Sequence, residues 1–468
     1  MTISAFARTG AVLALAMNLV LAEEAPRLPE RLSLNEALRL AANHNKAIQA
    51  ARQQAEANRH RVTTARGAFD PLAYGETGWT DEDSTAADSA EGRLAAGVEK
   101  RFVTGTEVGI STSWLYTDDH QSAVGATNPL HDAAGAVTVS QDLLRNFGPA
   151  VNTTGIRVAD NNWQAAREGV RDALIWNLYQ VEQAYWQIHY AEADLRVRHE
   201  QLARAQRLVE VAEAQVRVGE AAPIEITRAR SSAASQEVSI LNAENDLALL
   251  RNRLLRLLGI IQDGNLAQPF ALADAPPPVA APPALEQSLA IARERRPDCR
   301  QAALVLASAE AETDYAKNQL LPALRLFAGV GVAGQDGGFG GAAGDAGRGD
   351  ETVWEVGIRA EFPLGNQVAE GRHGTARALR LRAAIQQRDI LEQALREVAD
   401  ASDTLAVSVR KTETARRSRE LAEELLVAEE KSFKLGRSTS LDVLNAQQAL
   451  AQAEREEVRA AVAYATAL

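Results

Sequence analysis

The stretch that decides the fold is residues 174–219, LIWNLYQVEQAYWQIHYAEADLRVRHEQLARAQRLVEVAEAQVRVG, which contains no proline and no glycine before its last residue. Every seventh residue along it is apolar: Leu174, Val181, Ile188, Leu195, Leu202, Val209 and Val216. Alanine occupies a companion set of positions, namely Ala184, Ala191, Ala205 and Ala212. A strict repeat of seven predicts a helix that packs along its length against other helices, and alanine permits close approach. The proline-free segment 156–218 would form a helix of about 95 Å, which suits an elongated bundle or tube rather than a single globular core.

The same pattern returns 217 residues later in the chain. The second seam reads Leu391, Val398, Leu405, Thr412, Arg419, Leu426 and Phe433. Its companion alanines are Ala394, Ala401, Ala415 and Ala422. The turn residues Val218-Gly219 align with Leu435-Gly436 at this offset, and Asn35–Leu38 aligns with Glu286–Leu289 at an offset of 251. We therefore predict a tandem duplication.

The predicted organisation has two structural repeats, 23–268 and 284–468. They are separated by the proline-rich segment 269–283, which we expect to be extended. In the first repeat, a helix is followed by strands within 72–142, a long helix over 156–218 and a helix over 223–258. In the second repeat, a helix is followed by strands within 324–363, a long helix over 375–435 and a helix over 440–467.

Between the helices, the spacing of apolar residues changes to two. In 106–117, the residues on one face are Val108, Ile110, Thr112, Trp114 and Tyr116. Segments 93–102 and 352–362 alternate similarly, and 135–142 and 324–333 do so more weakly. Alternating segments of about ten residues tipped by aromatics are typical of outer-membrane barrel strands, but a water-facing sheet gives the same alternation.

The first residues favour the membrane interpretation. Residues 1–22 combine Arg8, an apolar run and the small-residue end Val20-Leu21-Ala22, which predicts a secretory signal peptide. No cysteine lies near the predicted cleavage point, so a lipid anchor is not expected. No other stretch is apolar for about 18 residues, so the sequence predicts an exported protein without a membrane-spanning helix.

Composition and motifs argue against several other classes of function. The formal net charge of −12 disfavours a nucleic-acid partner, and the lone Cys299 excludes an internal disulfide framework. The run GVGVAG at 329–334 matches GxGxxG, but a glycine-rich segment follows it, which we interpret as an extracellular loop rather than a dinucleotide site. The histidines lack close ligand spacing, and His189 and His199 are expected to be solvated. We predict no enzyme activity and no catalytic, cofactor or metal site.

Several segments resemble the TolC family of outer-membrane efflux factors. They are LSLNEALRLAANHN at 32–45, SQDLLRNFG at 140–148 and LGRSTSLDVLNAQQAL at 435–450, in a duplicated helix–strand–helix chain. The resemblance implies a mainly α fold with membrane β-strands, in which three protomers form an α-barrel and β-barrel tube. It implies a location in the outer membrane of a Gram-negative bacterium, extending into the periplasm. It also implies a passive exit duct for efflux or type I secretion, whose partners are an inner-membrane pump and a periplasmic adaptor.

The sequence departs from the family at two places. Asp142 stands where the family commonly has proline, a change to which we attach little weight. The segment 93–117 predicts an additional hairpin with a turn at Thr104-Gly105, whereas the family unit has two strands in each half. This hairpin could extend a loop outside the cell or widen the barrel, and the sequence leaves both possibilities open.

The candidate site lies at the predicted periplasmic tip. Gly219 and Gly436 are expected to end the long helices, and an acid follows each six residues later: Glu225 and Asp442. In family members, aspartates in this region of the second half line the entrance constriction. Asp442 matches the first of them, whereas the position three residues later is Asn445. Rings of such carboxylates in a trimer would favour cations.

A purely structural role is also open for both acids. Thr439 and Asp442 have the spacing of a helix capping box, and Pro223 followed by Glu225 is an ordinary helix start. A different class of protein, a soluble periplasmic coiled-coil adaptor between pump and duct, is the alternative function. Adaptors generally have one helical hairpin flanked by small β domains, which fits the duplicated pattern less well.

Overall fold

The computed structural model describes residues 28–83, 88–119, 127–219, 222–261, 270–435 and 437–468. The predicted signal peptide, His120 and the predicted turn residue Gly436 lie outside these ranges.

Long helices dominate the described part of the chain. The helices are α1 (Leu34–His44), α2 (Lys46–Arg66), α3 (Pro149–Asn152), α4 (Thr154–Arg217), α5 (Ile224–Leu258), α6 (Leu285–Arg295), α7 (Pro297–Asn318), α8 (Phe339–Arg348), α9 (Gln367–Lys434) and α10 (Ser440–Ala467). The strands are β1 (Arg31–Leu32), β2 (Leu72–Asp83), β3 (Asp88–Arg101), β4 (Thr106–Asp119), β5 (Leu130–Asp142), β6 (Ala271–Leu272), β7 (Ala323–Asp336) and β8 (Glu351–Glu361). The predicted combination of long helices with antiparallel strands is confirmed.

The chain divides into two compact units. The first unit, which we call the helical unit, contains the described residues of 1–50, 171–290 and 396–468. The second, the sheet unit, contains the described residues of 51–170 and 291–395. The long helices α4 and α9 each contribute residues to both units.

The core of the helical unit forms around the middle of α4. Tyr185 is fully buried, and its hydroxyl donates to the Leu32 carbonyl oxygen at 3.0 Å. The Asp274 carboxylate lies 3.2 Å from the same hydroxyl. Burial raises the pKa of Tyr185 to about 12, so it remains a neutral donor at physiological pH. Since Asp274 belongs to the predicted extended segment 269–283, that segment is held against the core, and its β6 pairs in parallel with β1.

The sevenfold seam of α4 is buried where it meets this core. Val181, Ala184 and Ile188 are at most 1% exposed. The polar seam residues of the second copy contact α10 instead: the Thr412 hydroxyl donates to the Ala460 carbonyl at 3.3 Å, and Arg419 pairs with Glu457 at 2.8 Å. The polar substitutions in the seam are therefore used as interhelical contacts.

The sheet unit contains a six-stranded antiparallel sheet in the order β2-β3-β4-β5-β7-β8. The predicted additional hairpin corresponds to β3 and β4, which are interior strands of this sheet. The hairpin turns at Gly105, whose φ of +88° lies in the left-handed region. A Cβ there would lie 2.5 Å from the Asn146 carbonyl oxygen, so the turn requires glycine.

Residues 335–350, expected from their glycine content to be a loop, instead contain helix α8. Ala342 and Ala346 are buried against Ala133 of β5. A Cβ on Gly334 would approach the Ala346 backbone nitrogen to 2.3 Å. Close packing of small residues on the sheet offsets the low helix propensity of glycine, so the loop prediction was wrong.

Two further observations bear on predictions that involve glycines. Helix α9 begins at Gln367 rather than at 375, because it continues through Gly371 and Gly374. The GVGVAG run lies inside β7 and is paired with neighbouring strands, so it is not a strand-to-helix turn.

No helix in the described ranges is both long and apolar enough to cross a membrane.

Candidate functional site

The candidate site includes two turns that connect one helix to the next. The first lies between the end of α4 and the start of α5. Gly219 follows α4 with a φ of +80°, and its N–H donates to the Val216 carbonyl at 3.1 Å. Glycine adopts this conformation without the steric cost paid by other residues. The structure thus places Gly219 at a helix end, as the sequence predicts. Its counterpart Gly436 lies outside the described residues.

Glu225 lies in the first turn of α5 and is ion-paired. Arg228, one turn later on the same helix, donates from Nη1 to Glu225 Oε1 at 2.7 Å. The Glu225 side chain is 23% exposed. The Pro223 position that precedes the helix provides no side-chain cap. An adjacent guanidinium offsets much of the negative potential of this carboxylate.

Asp442 has a different environment, because it completes a capping box at the start of α10. The Thr439 backbone N–H and hydroxyl donate to Asp442 Oδ2 at 3.0 and 2.6 Å, and the Asp442 N–H donates to the Thr439 hydroxyl at 3.3 Å. The Ser438 hydroxyl lies 3.3 Å from the same carboxylate oxygen. The hydrogen bonds from Thr439 hold the pKa of Asp442 below its ordinary value, so the carboxylate is ionised at neutral pH.

The first turns of α10 separate a polar face from an apolar one. Asp442 and Asn445 are exposed and lie three residues apart, so they share one face of the helix. Val443 and Ala446 are buried against Leu426 of α9, on the side of α10 that adjoins this exposed face. The packing within the chain therefore leaves Asp442 and Asn445 exposed.

One aromatic side chain packs against residues of both helix pairs, α4–α5 and α9–α10. Phe433, near the end of α9, packs against a cluster formed by Leu208, Ala212 and Ala229 of α4 and α5. It also packs against the cluster that contains Val443 of α10. The structure therefore brings the ends of all four helices together, as a common tip requires.

A network of charged residues that the repeat of seven does not predict lies on α4, N-terminal to the Gly219 turn. Asp194 binds Arg198 at 2.7 Å and approaches Arg455 of α10 at 3.9 Å. Arg204 lies 3.5 Å from Glu454, whose pKa is raised by burial despite this partner. Asp194 and Arg198 have opposite charges four residues apart on α4, which is a sequence signal for an ion pair that the search for apolar positions does not use.

A second contact that the sequence did not predict joins the last residue of β5 to the beginning of β7. Asp142, to which the sequence reasoning attached little weight, is 6% exposed and accepts from Arg325 Nε at 2.9 Å. Arg325 also lies 3.4 Å from Glu107 on β4. Since a buried carboxylate without a partner is costly, Arg325 offsets the cost of burying Asp142 where β5 and β7 meet.

The acidic, histidine and cysteine side chains were also candidates for metal binding. Within the part of the chain that the structure describes, no group of three acidic, histidine or cysteine side chains is placed to hold a metal ion. His189, expected to be solvated, packs instead against Trp186 with ring centroids 6.0 Å apart. Burial lowers the pKa of His189, which favours its neutral form.

Comparison with known proteins finds a family match in the second predicted repeat. Residues 289–468 match the family model described as outer membrane efflux protein. This part of the chain is therefore similar to outer membrane efflux proteins. No curated protein sequence matches the chain.

Solved structures extend the likeness, at the level of the fold, to nearly the whole chain. The VceC outer membrane protein of Vibrio cholerae aligns with a TM-score of 0.69 and 19% identity, over 93% of this chain and 94% of its own. The CmeC outer membrane channel of Campylobacter jejuni gives 0.68 and 14%, over 93% and 83%. The MtrE outer membrane channel of Neisseria gonorrhoeae gives 0.67 and 18%, over 93% and 86%. The predicted resemblance to the outer-membrane efflux channels is confirmed.

Proposed function

We propose that the chain is one protomer of a trimeric exit duct in the outer membrane of a Gram-negative bacterium. The duct would extend into the periplasm and passively conduct substrate received from an inner-membrane pump through a periplasmic adaptor. The observation that carries this proposal is the six-stranded sheet, one face of which carries exposed apolar side chains, on a chain with the fold of outer-membrane efflux channels. The match of the second repeat to the efflux protein family supports it.

The apolar face of the sheet argues for a membrane rather than water. Exposed side chains on that face include Val98, Ile110, Val330, Trp354 and Ile358. A contiguous apolar surface of this kind is rare on soluble monomers and marks contact with protein or lipid. A soluble adaptor has no need of such a sheet, so the alternative function is not favoured.

At the tip, we assign Asp442 and Asn445 to the lining of the periplasmic entrance, with Glu225 nearby. The support is their exposure on the face of α10 that does not pack within the protomer. Three copies of Asp442 around one axis would form a ring of ionised carboxylates that favours cations. The capping role of Asp442 and this lining role are compatible, because the cap uses one oxygen of an otherwise exposed group.

Fractionation tests the proposal as a whole. The full-length protein, expressed in a Gram-negative host, is expected in the outer-membrane fraction as a trimer that dissociates only on heating before electrophoresis. Purified protein is expected to form ion-conducting channels in planar bilayers. Recovery in the soluble periplasmic fraction without channels would overturn the duct and favour the adaptor.

A further inference from the structure

The hairpin formed by β3 and β4 is integrated in the sheet on both sides. Strand β3 pairs with β2 from Leu72↔Glu99 to Asp83↔Asp88. Strand β4 pairs with β5 from Thr106↔Gln141 to Thr117↔Leu130. The hairpin therefore begins and ends at the level of its neighbours, and its strands do not project beyond the sheet.

One row of directly paired residues crosses all six strands. It consists of Ala73, Val98, Ile110, Val137, Val330 and Trp354. Directly paired residues of neighbouring strands share one side of a sheet, so this row lies on a single face. From Val98 to Trp354 its members are between 40% and 76% exposed. The hairpin thus carries the same exposed apolar face as the strands on either side of it.

The opposite face has a different chemistry on all the strands. It carries the charged residues Glu76, Arg93, Glu99, Glu107, Asp132, Arg325, Glu355 and Arg359. An apolar outer face with a polar inner face is the pattern of strands in an outer-membrane barrel. A hairpin that extended into water would have no reason to carry the same exposed apolar face as its neighbours.

Aromatic side chains gather at one end of the apolar face and include those of the hairpin. Trp79 of β2 stacks on Tyr116 of β4 with ring centroids 5.5 Å apart. It lies over Gly92 of β3, where a Cβ would meet the Trp79 ring at 2.9 Å. Trp114 of β4 contacts Phe339 of α8 edge-on at 5.8 Å. Aromatic girdles occupy the interfaces of membrane barrels, so this cluster places the end of β4 at such an interface.

We infer that the β3–β4 hairpin is part of the membrane wall and that each protomer contributes six strands to one barrel. The inference rests on the proposed trimeric duct, in which the exposed edges β2 and β8 pair with second copies of this chain. Three protomers then close a barrel of 18 strands instead of the 12 that two strands in each half would give. With strands about 4.8 Å apart and tilted by about 40°, the backbone diameter is about 36 Å, against about 24 Å for 12 strands.

Paired arginine substitutions test the placement of the hairpin. Ile110→Arg puts a charge on the apolar face of β4, whereas Ser111→Arg puts the same charge on its polar face. On β5, Val137→Arg and Thr138→Arg form the corresponding pair. We expect Ile110→Arg and Val137→Arg to lower the recovery of heat-sensitive trimer in the outer membrane at least tenfold, because charge on a lipid-facing position is costly. Ser111→Arg and Thr138→Arg are expected to leave it unchanged.

The outcomes separate this inference from the function on which it rests. If Val137→Arg abolishes trimer recovery and Ile110→Arg does not, the duct stands and the hairpin lies outside the membrane. If both apolar-face variants assemble like wild type, the sheet does not face lipid and the proposed function fails as well. Electron cryomicroscopy of the wild-type trimer gives the direct count, where 18 strands support the inference and 12 overturn it.

Discussion

The turn between α4 and α5 and the turn between α9 and α10 occupy corresponding places in the two predicted repeats. The acids that follow these two turns have different partners. Glu225 is ion-paired with Arg228 one turn later, whereas Asp442 accepts hydrogen bonds from Thr439 and has no cation among the contacts that fix it. Neutral donors fix the position of a carboxylate and leave its charge in place, while a guanidinium offsets that charge. The two turns therefore share the position of an acid but not its electrostatic effect.

Of the substitutions that test this difference between the two acids, Asp442→Ala is expected to have the largest effect. In the proposed trimer it removes three ionised carboxylates from one level of the entrance. We expect a severalfold rise in single-channel conductance or leak in planar bilayers, together with weaker cation selectivity. Unchanged conductance and selectivity would leave Asp442 with the capping role alone.

Acidification is expected to approach the same phenotype reversibly. The pKa of Asp442 is lowered in the folded protein, so its carboxylate stays ionised at pH values where an ordinary aspartate is already partly protonated. The stabilisation from its hydrogen bonds is present above the unfolded-state pKa and is lost as the pH falls through the lowered folded-state pKa. Cation selectivity measured across an acid titration should therefore persist below the pH at which an ordinary aspartate is half protonated, and then fall. Asp442→Ala, which lacks the group, should show a flat profile over the same range.

Thr439→Ala separates the cap from the charge. It removes the hydroxyl that donates to Asp442 but keeps the carboxylate. Loss of such a cap costs about 1 kcal/mol in the free energy of unfolding, which thermal denaturation of the trimer can detect. Cation selectivity at neutral pH should be retained, and its loss on acidification should shift to higher pH. A selectivity loss at neutral pH equal to that of Asp442→Ala would show that the charge acts only when capped.

Glu225→Gln is expected to have the smallest effect. Because Arg228 already offsets the Glu225 charge, neutralising the acid should change cation selectivity much less than Asp442→Ala does. The matched variant Arg228→Gln unmasks Glu225 and should strengthen cation selectivity in the same bilayer assay. An equal loss of selectivity in Glu225→Gln and Asp442→Ala would mean that the two turns are electrostatically equivalent after all.

Features that depend on local spacing could be predicted from the sequence. The burial of Val181, Ala184 and Ile188 follows from the repeat of seven, and the exposed row through Ile110 follows from the alternation of two. The Thr439–Asp442 capping box was likewise available from two residues three positions apart. In each case the neighbours that decide the structure lie within a few turns of the same element.

Features that depend on distant partners could not be predicted. Helix α8 forms from a glycine-rich segment because Ala342 and Ala346 pack on Ala133 of another strand. The pairing of Arg228 with Glu225 was within reach of a helix-spacing argument, but the burial of Asp142 depends on Arg325 in the other repeat. Nothing in the residues beside Asp142 announces that partner.

The junction between β5 and β7 also constrains when the sheet can form. Its ion pair joins residues 183 positions apart in the chain, so the loop it closes includes α4, α5 and α7. Closing so long a loop costs chain entropy before any pairing repays it, and such non-local contacts slow folding. Strands β2 to β5 therefore have β5 as an open edge until the chain has been synthesised at least as far as Asp336. Exposed edges of this kind invite wrong pairing, so the interval before β7 arrives is the stage of folding at which wrong pairing is most to be expected.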